Sequence, residues 1–210
     1  MDIVDLGTPF GLAFASGLNA YLPLLAFAVS VRWLHLYKVN PSFSFITQIW
    51  FMVVLAILTI LDFVADKIPL IDHVWNAIHT VVRPIAGALV AVAAGSHFVS
   101  GTHITAKSSD AASRTDLAAS ILPITGVGLL IILLLIGAVL AALSHTTKST
   151  TRLVSTITTA GFLNIVLSFV EDVLVLIAIL LSLFIPIVMF VLLVLFVLIV
   201  GPRLIRIWNR

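Results

Sequence analysis

Apolar residues in this chain run in long blocks instead of alternating with polar ones. Blocks at about 8–31, 46–65, 83–100, 117–144, 157–181 and 186–202 are each long enough for a helix that crosses roughly 30 Å of hydrocarbon. The pattern predicts an all-α, polytopic membrane bundle of about six transmembrane helices, forming a single domain over residues 1–210. The fifth and sixth blocks are one apolar run, interrupted by Glu171, Asp172 and a bend at SLFIP. Pro186 suits the first turn of the helix that follows, where a missing N–H costs little.

The segment KIPLIDHVWNAIHTVVRP lies between the second and third blocks. Ile71, Val74, Trp75, Ile78 and Val82 recur at helical spacing, with Asp72, His73, Asn76, His79 and Thr80 elsewhere on the wheel. This predicts a short amphipathic helix over 69–82 lying at the membrane interface, with Trp75 at headgroup depth and hydrated histidines. A re-entrant hairpin is the alternative. In the third block Gly87, Ala91 and Gly95 are four apart, a stripe that lets a neighbouring backbone approach. The stretch SGTHITAKSSDAASRTD reads as a solvated loop; His97 and His103 beside it have no partner in the sequence pattern.

Composition agrees with the blocks. Of 210 residues 61% are hydrophobic and 10% charged, against about 25% charged in a soluble domain. The expected setting is the cell membrane, as a multi-pass protein whose partner is the lipid bilayer, with no nucleic acid. No basic residue precedes Arg32, so no secretory signal is expected, and the absence of cysteine excludes thiolate metal sites. Six crossings put Lys67, Arg83, Lys148, Arg152, Arg203, Arg206 and Arg210 on one side, and Arg32, Lys38, Lys107 and Arg114 on the other. The excess of cations predicts that both termini are cytoplasmic.

Charged groups inside the blocks are costly, about 2.5–3.5 kcal/mol each at the centre of a helix. Asn164, Ser168, Glu171 and Asp172 follow i, i+4, i+7, i+8 spacing and form one stripe, which must face protein or water. Asp62 and Asp66 share a face at the end of the second block. His145, Lys148 and Arg152 form a cationic stripe if the fourth helix continues past its apolar part, and Arg83 and Lys67 stand at the same level. In the first block Ser16, Asn19 and Pro23 bring polar side chains and a freed carbonyl near mid-membrane, as in transporters with interrupted helices. GLNAYLPLL and FLNIVLSFV share Leu, Asn and Leu in register, a hint of an internal repeat.

At these residues the chain resembles a bacterial family of uncharacterised inner-membrane proteins, the domain-of-unknown-function family numbered 4126. The resemblance is carried by LDFVADKIPLIDHVWNAIHTVVRPIAGAL, HTTKSTTR and LNIVLSFVED, in that order. It implies an all-helical integral membrane domain and supplies no activity. Where the family has an acidic, proline-containing stretch before the Asn, this chain reads TTAGFLN.

The expected function is a small secondary transporter or channel-like permease for a small solute or ion. Substrate or proton-relay candidates are Asn19, Asp62, Asp66, Asn164, Ser168, Glu171 and Asp172. Anion or headgroup candidates are Lys67, Arg83, His145, Lys148 and Arg152, with Arg83, Lys148 and Arg152 forming a basic cytoplasmic vestibule. One alternative is a structural or assembly protein whose polar cluster only fixes helix register. The other is a membrane-embedded lipid-phosphate enzyme, against which stands the lack of HExxH, GxSxG and aspartate-rich motifs. No cofactor or metal is expected, and the sequence leaves oligomeric state open.

Overall fold

The computed structural model describes residues 6–67, 69–100, 126–159 and 162–208, and every regular element among them is helical. The order is α1 (Gly7–Ser16), α2 (Leu22–Arg32), a 3-10 turn (Pro41–Thr47), α3 (Ile49–Ala65), α4 (Pro69–Ser100), α5 (Gly126–Thr159), α6 (Phe162–Phe184) and α7 (Pro186–Trp208). Three helical stretches are long and apolar enough to cross a membrane: Trp75–Ser96, Val127–Thr159 and Val166–Phe184. The 3-10 turn and α3, bent by 56°, make a fourth if they count as one span. Residues 101–125, which hold the expected solvated loop with His103, Lys107 and Arg114 and the start of the fourth block, and the side chains of Asp72, His73, His97, Arg203, Arg206 and Arg210 lie outside the described residues.

The first apolar block departs most from expectation. It breaks at 17–21 into two helices of 10 and 11 residues, about 15 Å each and too short to cross hydrocarbon singly. Asn19 makes the break: its side-chain oxygen accepts from the backbone N–H of Tyr21 (3.1 Å) and Leu22 (2.9 Å), capping the start of α2. Pro23 falls in the first turn of α2, where it disturbs no helical hydrogen bond. The pair then returns to the end it left. Thr8 at the start of α1 lies 3.2 Å from the Tyr37 hydroxyl, and Tyr37 in turn donates to the Leu183 carbonyl (2.7 Å). The block is therefore a hairpin of two half-length helices and not one crossing. Gly7 packs on the Pro186 carbonyl, so α1 begins beside the start of α7. The starts of α1 and α7 share one end of the bundle, and α7 runs 23 residues to the other. Six successive crossings would instead bring both chain ends together.

Nine of the ten residues of α1 are buried, which makes it the centre of the bundle. It fits there because glycines face its neighbours. A Cβ at Gly11 would meet Ser182 and Met189, and one at Gly17 would meet Ser144 and the Ala141 carbonyl. The expected stripe on α4 packs as its spacing implies. Gly87 faces Ala141 and the Gly137 carbonyl, Ala91 faces Gly137, and Gly95 takes the Leu133 side chain.

Segment 69–82 is not a separate interfacial helix, because α4 runs unbroken from Pro69 to Ser100 with Pro84 inside it. Proline removes one N–H and leaves the rest of the ladder, so a well-packed helix continues through it. Its amphipathic sense is also inverted. Ile78, Val81 and Ile85 are exposed, whereas His79 and Arg83 are buried at 1% exposure. The same inversion holds elsewhere. Ile60, Val139, Leu174 and Leu198 face outward, and Asp62, Ser144, Lys148 and Glu171 face in.

Candidate functional site

The break in the first block leaves the carbonyls of Gly17 and Leu18, just past the end of α1, outside the helical ladder. Two cations from neighbouring helices supply them. Lys148 Nζ donates to the Leu18 carbonyl (3.1 Å), and Arg83 Nη1 to the Gly17 carbonyl (3.4 Å). Cations at a helix C-terminus are also favoured by its dipole. The hairpin tip is thus seated on a charge network contributed by α3, α4, α5 and α6.

Lys148 is the hub. Besides Leu18, its ammonium contacts Asp66 Oδ2 at 2.6 Å and Glu171 Oε2 at 3.2 Å, so its three donors serve the tip, the end of α3 and α6. One helical turn on, Arg152 grips Glu171 with both Nη2 (2.6 Å) and Nε (3.4 Å), and reaches Asp66 Oδ2 at 3.3 Å. The expected cationic stripe forms because α5 continues well past its apolar part, to Thr159. The side chains of Asp66, Glu171, Lys148 and Arg152 are all between 2 and 11% exposed. Asp66 stands one residue past the end of α3. Burial pushes its carboxyl up, but Lys148 and Arg152 outweigh that and hold it below the usual carboxylate range.

A second cluster adjoins the first. Asp62 Oδ1 accepts from Trp75 Nε1 (2.8 Å), with His79 Nε2 at 3.4 Å and Arg83 Nη2 at 3.7 Å. Arg83 Nη1 also lies 2.9 Å from His145 Nδ1, and His145 Nε2 lies 3.2 Å from the Thr80 hydroxyl. The Tyr21 ring from the hairpin tip packs edge-on to His79. Asp62 Oδ2, His79 Nε2 and Arg83 Nε are buried and have no hydrogen-bond partner among the described residues.

Other expected residues lie at the margin. Asp172 pairs with Lys67 at 2.9 Å, at 20% and 33% side-chain exposure, and the Lys67 ammonium also sits over the Phe63 and Phe169 rings. Asn164 donates to Thr156 (2.9 Å) one turn beyond the network, and the Ser168 hydroxyl is buried with no partner among the described residues. Asn19 uses its acceptor as a helix cap, and Ser16 bonds back to the Leu12 carbonyl. Asn19 and Asn164 thus have different roles, which leaves the hinted repeat without structural support. Arg83, Lys148 and Arg152 are engaged in ion pairs and do not line an open vestibule. A groove of about 330 Å³ beside the tip, lined by Phe14, Leu18, Thr147, Ile177 and Phe196 among others, is almost wholly apolar. Among the described residues no three His, Asp or Glu side chains converge as a metal requires.

Trp75, His79 and Tyr21 are absent from the sequence-based site. The available signal was spacing: His79 and Arg83 are four apart and share a face.

The family model described as Domain of unknown function (DUF4126) matches residues 6–206, nearly the whole chain, and the chain belongs to this family. No curated protein and no solved structure matches it.

Proposed function

We propose that this member of the DUF4126 family is a multi-pass permease of the cell membrane that moves a small solute or ion, with the hairpin tip and its charge network as the gate. The observation that carries the reading is Lys148, whose one ammonium holds the tip carbonyl of Leu18 together with Asp66 and Glu171. A bundle that only needed rigidity would do as well or better with apolar residues, since a buried ion pair is often worth less than its hydrophobic replacement. Here the costly groups gather where the most buried helix is interrupted. Interrupted helices with ionisable groups at the break are how many transporters build sites that open and close.

In this reading α3 to α7 cross the bilayer and the α1–α2 hairpin enters and leaves from one side. The end bearing Lys67, Lys148, Arg152 and the close of α7 is the cation-rich one and faces the cytoplasm. The outward Ile, Leu and Val side chains contact lipid.

Reconstitution into vesicles tests the proposal, with a panel of ions and small polar metabolites assayed with and without a pH gradient. Saturable flux that falls at least tenfold in Lys148→Gln supports it. A folded, monodisperse wild type with no flux above empty vesicles across the panel refutes it. One observation favours a purely structural role: four acids (Asp62, Asp66, Glu171, Asp172) meet four cations (Lys67, Arg83, Lys148, Arg152). That reading requires apolar replacement of whole pairs to preserve stability with no flux to lose.

A further inference from the structure

Among the described residues two histidines are buried, His79 and His145, and their neighbours fix the ring hydrogens of each differently. The Trp75 carbonyl can only accept, so His79 Nδ1, 2.9 Å away, carries a hydrogen. The Arg83 guanidinium can only donate, so His145 Nδ1 at 2.9 Å is a bare acceptor. The His145 hydrogen then sits on Nε2, towards the Thr80 hydroxyl, whose own hydrogen goes to the Asn76 carbonyl at 3.0 Å. His145 is thereby held neutral with both nitrogens used. In neutral His79 the bare nitrogen is Nε2, and it faces a carboxylate oxygen of Asp62 at 3.4 Å. Two electron pairs oppose each other there, and both residues are 1% exposed.

We infer that Asp62 and His79 form a proton-binding site that takes up one exchangeable proton between them. The proton adds to Nε2 or to the carboxylate and makes the missing hydrogen bond in either case; no bond other than N–H or O–H forms. Water supplies it as hydronium and receives it back. The surroundings make uptake conditional. Trp75 of α4 donates to the Asp62 carboxylate, and Arg83 of α4, in contact with His145 of α5, opposes added positive charge. Asp66, one turn along α3, favours it, and the Tyr21 ring closes the tip side. The Glu171 carboxylate, by contrast, is clamped by Arg152 and Lys148, and protonation there would break two ion pairs. Proton exchange therefore belongs at Asp62–His79 and not at Glu171. A proton on the pair also loosens the hold of Asp62 on Arg83, which reaches the Gly17 carbonyl at the tip.

As a coupling site the pair rests on the permease reading, but proton binding is measured at equilibrium without flux. Purified full-length protein in lipid nanodiscs, with ¹⁵N-labelled histidine, is titrated between about pH 4 and 9. Histidine ring nitrogen resonances and the infrared band of a protonated carboxylic acid are recorded. The wild type is expected to show His79 with hydrogen on Nδ1 at high pH and to gain one proton on acidification. That proton is expected to be lost in Asp62→Asn, in His79→Gln and in the double variant, each losing the same one, and kept in Glu171→Gln. His79 with its hydrogen on Nε2, a ring and carboxyl spectrum unchanged across the range, or full proton uptake in folded Asp62→Asn would overturn it. If that variant does not fold, the wild-type spectra decide alone. Titration without flux removes the permease reading and keeps the proton site; flux without titration does the reverse.

Discussion

Replacing Lys148 by Met is the sharpest test of whether the network is dry. The substitution keeps the volume and removes one charge. It leaves Asp66 and Glu171, both about a tenth exposed or less, to share Arg152, and it leaves the Leu18 carbonyl unpaired at the tip. Removing one partner of a buried ion pair costs about 3–5 kcal/mol, because the other charge stays behind without compensation. At about 1.4 kcal/mol per decade, the unfolding constant rises roughly 150- to 5,000-fold. Lys67→Met is the internal control, since the Lys67–Asp172 pair is partly exposed and exposed pairs contribute about 0–1 kcal/mol. A second variant separates charge from shape. Lys148→Met with Asp66→Leu removes one charge of each sign, keeps Arg152 on Glu171, and should recover more than half of the loss. Reversible unfolding in mixed micelles, followed by tryptophan fluorescence or by far-UV circular dichroism, gives all three values. If Lys148→Met lies within about 1 kcal/mol of wild type and matches Lys67→Met, the network is hydrated and the argument from burial fails.

Three further outcomes follow from single contacts. Trp75→Phe removes the one hydrogen bond that the Asp62 carboxylate accepts among the described residues and should cost about 1–3 kcal/mol, read by the same unfolding assay. Gly17→Val drives a side chain into Ser144 and the Ala141 carbonyl at the hairpin tip, whereas a Cβ at Gly201 meets nothing among the described residues; Gly17→Val should lower the thermal midpoint of a detergent-solubilised sample sharply and Gly201→Val should leave it unchanged. The carboxyl of Asp66 is held below its unfolded value, so its stabilising contribution is complete above about pH 4 and is lost as pH falls through the folded value. Acid unfolding monitored below that pH should accordingly be less steep in Asp66→Asn.

Much of the site was legible because helical spacing carries over into three dimensions. Lys148 and Arg152 are four apart on one continuous helix and both meet Glu171, which stands seven residues past Asn164, roughly 10 Å along α6. Side-chain length closes the gap, since lysine and arginine extend along the bundle to their partners. The hairpin was less legible. The stretch SGLNAYLP carries a glycine, a capping Asn and a proline, but these suit a kinked single crossing as well as a reversal. Its exposed carbonyls are tolerable only because Arg83 and Lys148, 66 and 130 residues away in sequence, end beside them. The polar face of the 69–82 segment was visible, but its direction was not. A helical wheel separates two faces without saying which one meets the bundle, and in apolar surroundings the polar face turns in.

The acids show where spacing stops informing. Asp62 and Asp66 share a face, yet one turn of helix is enough to give them different partners, Trp75 and His79 for the first, Lys148 and Arg152 for the second. Glu171 and Asp172 are adjacent, and adjacent side chains on a helix diverge by about 100°. One therefore points into the network at 8% exposure, and the other turns to the margin, where Lys67 meets it from the end of α3. A pair that reads in sequence as a doubled cost is two separate carboxylates, each with its own cation. The unusual acid is instead Asp62, because its neighbours include a histidine nitrogen that offers it no hydrogen.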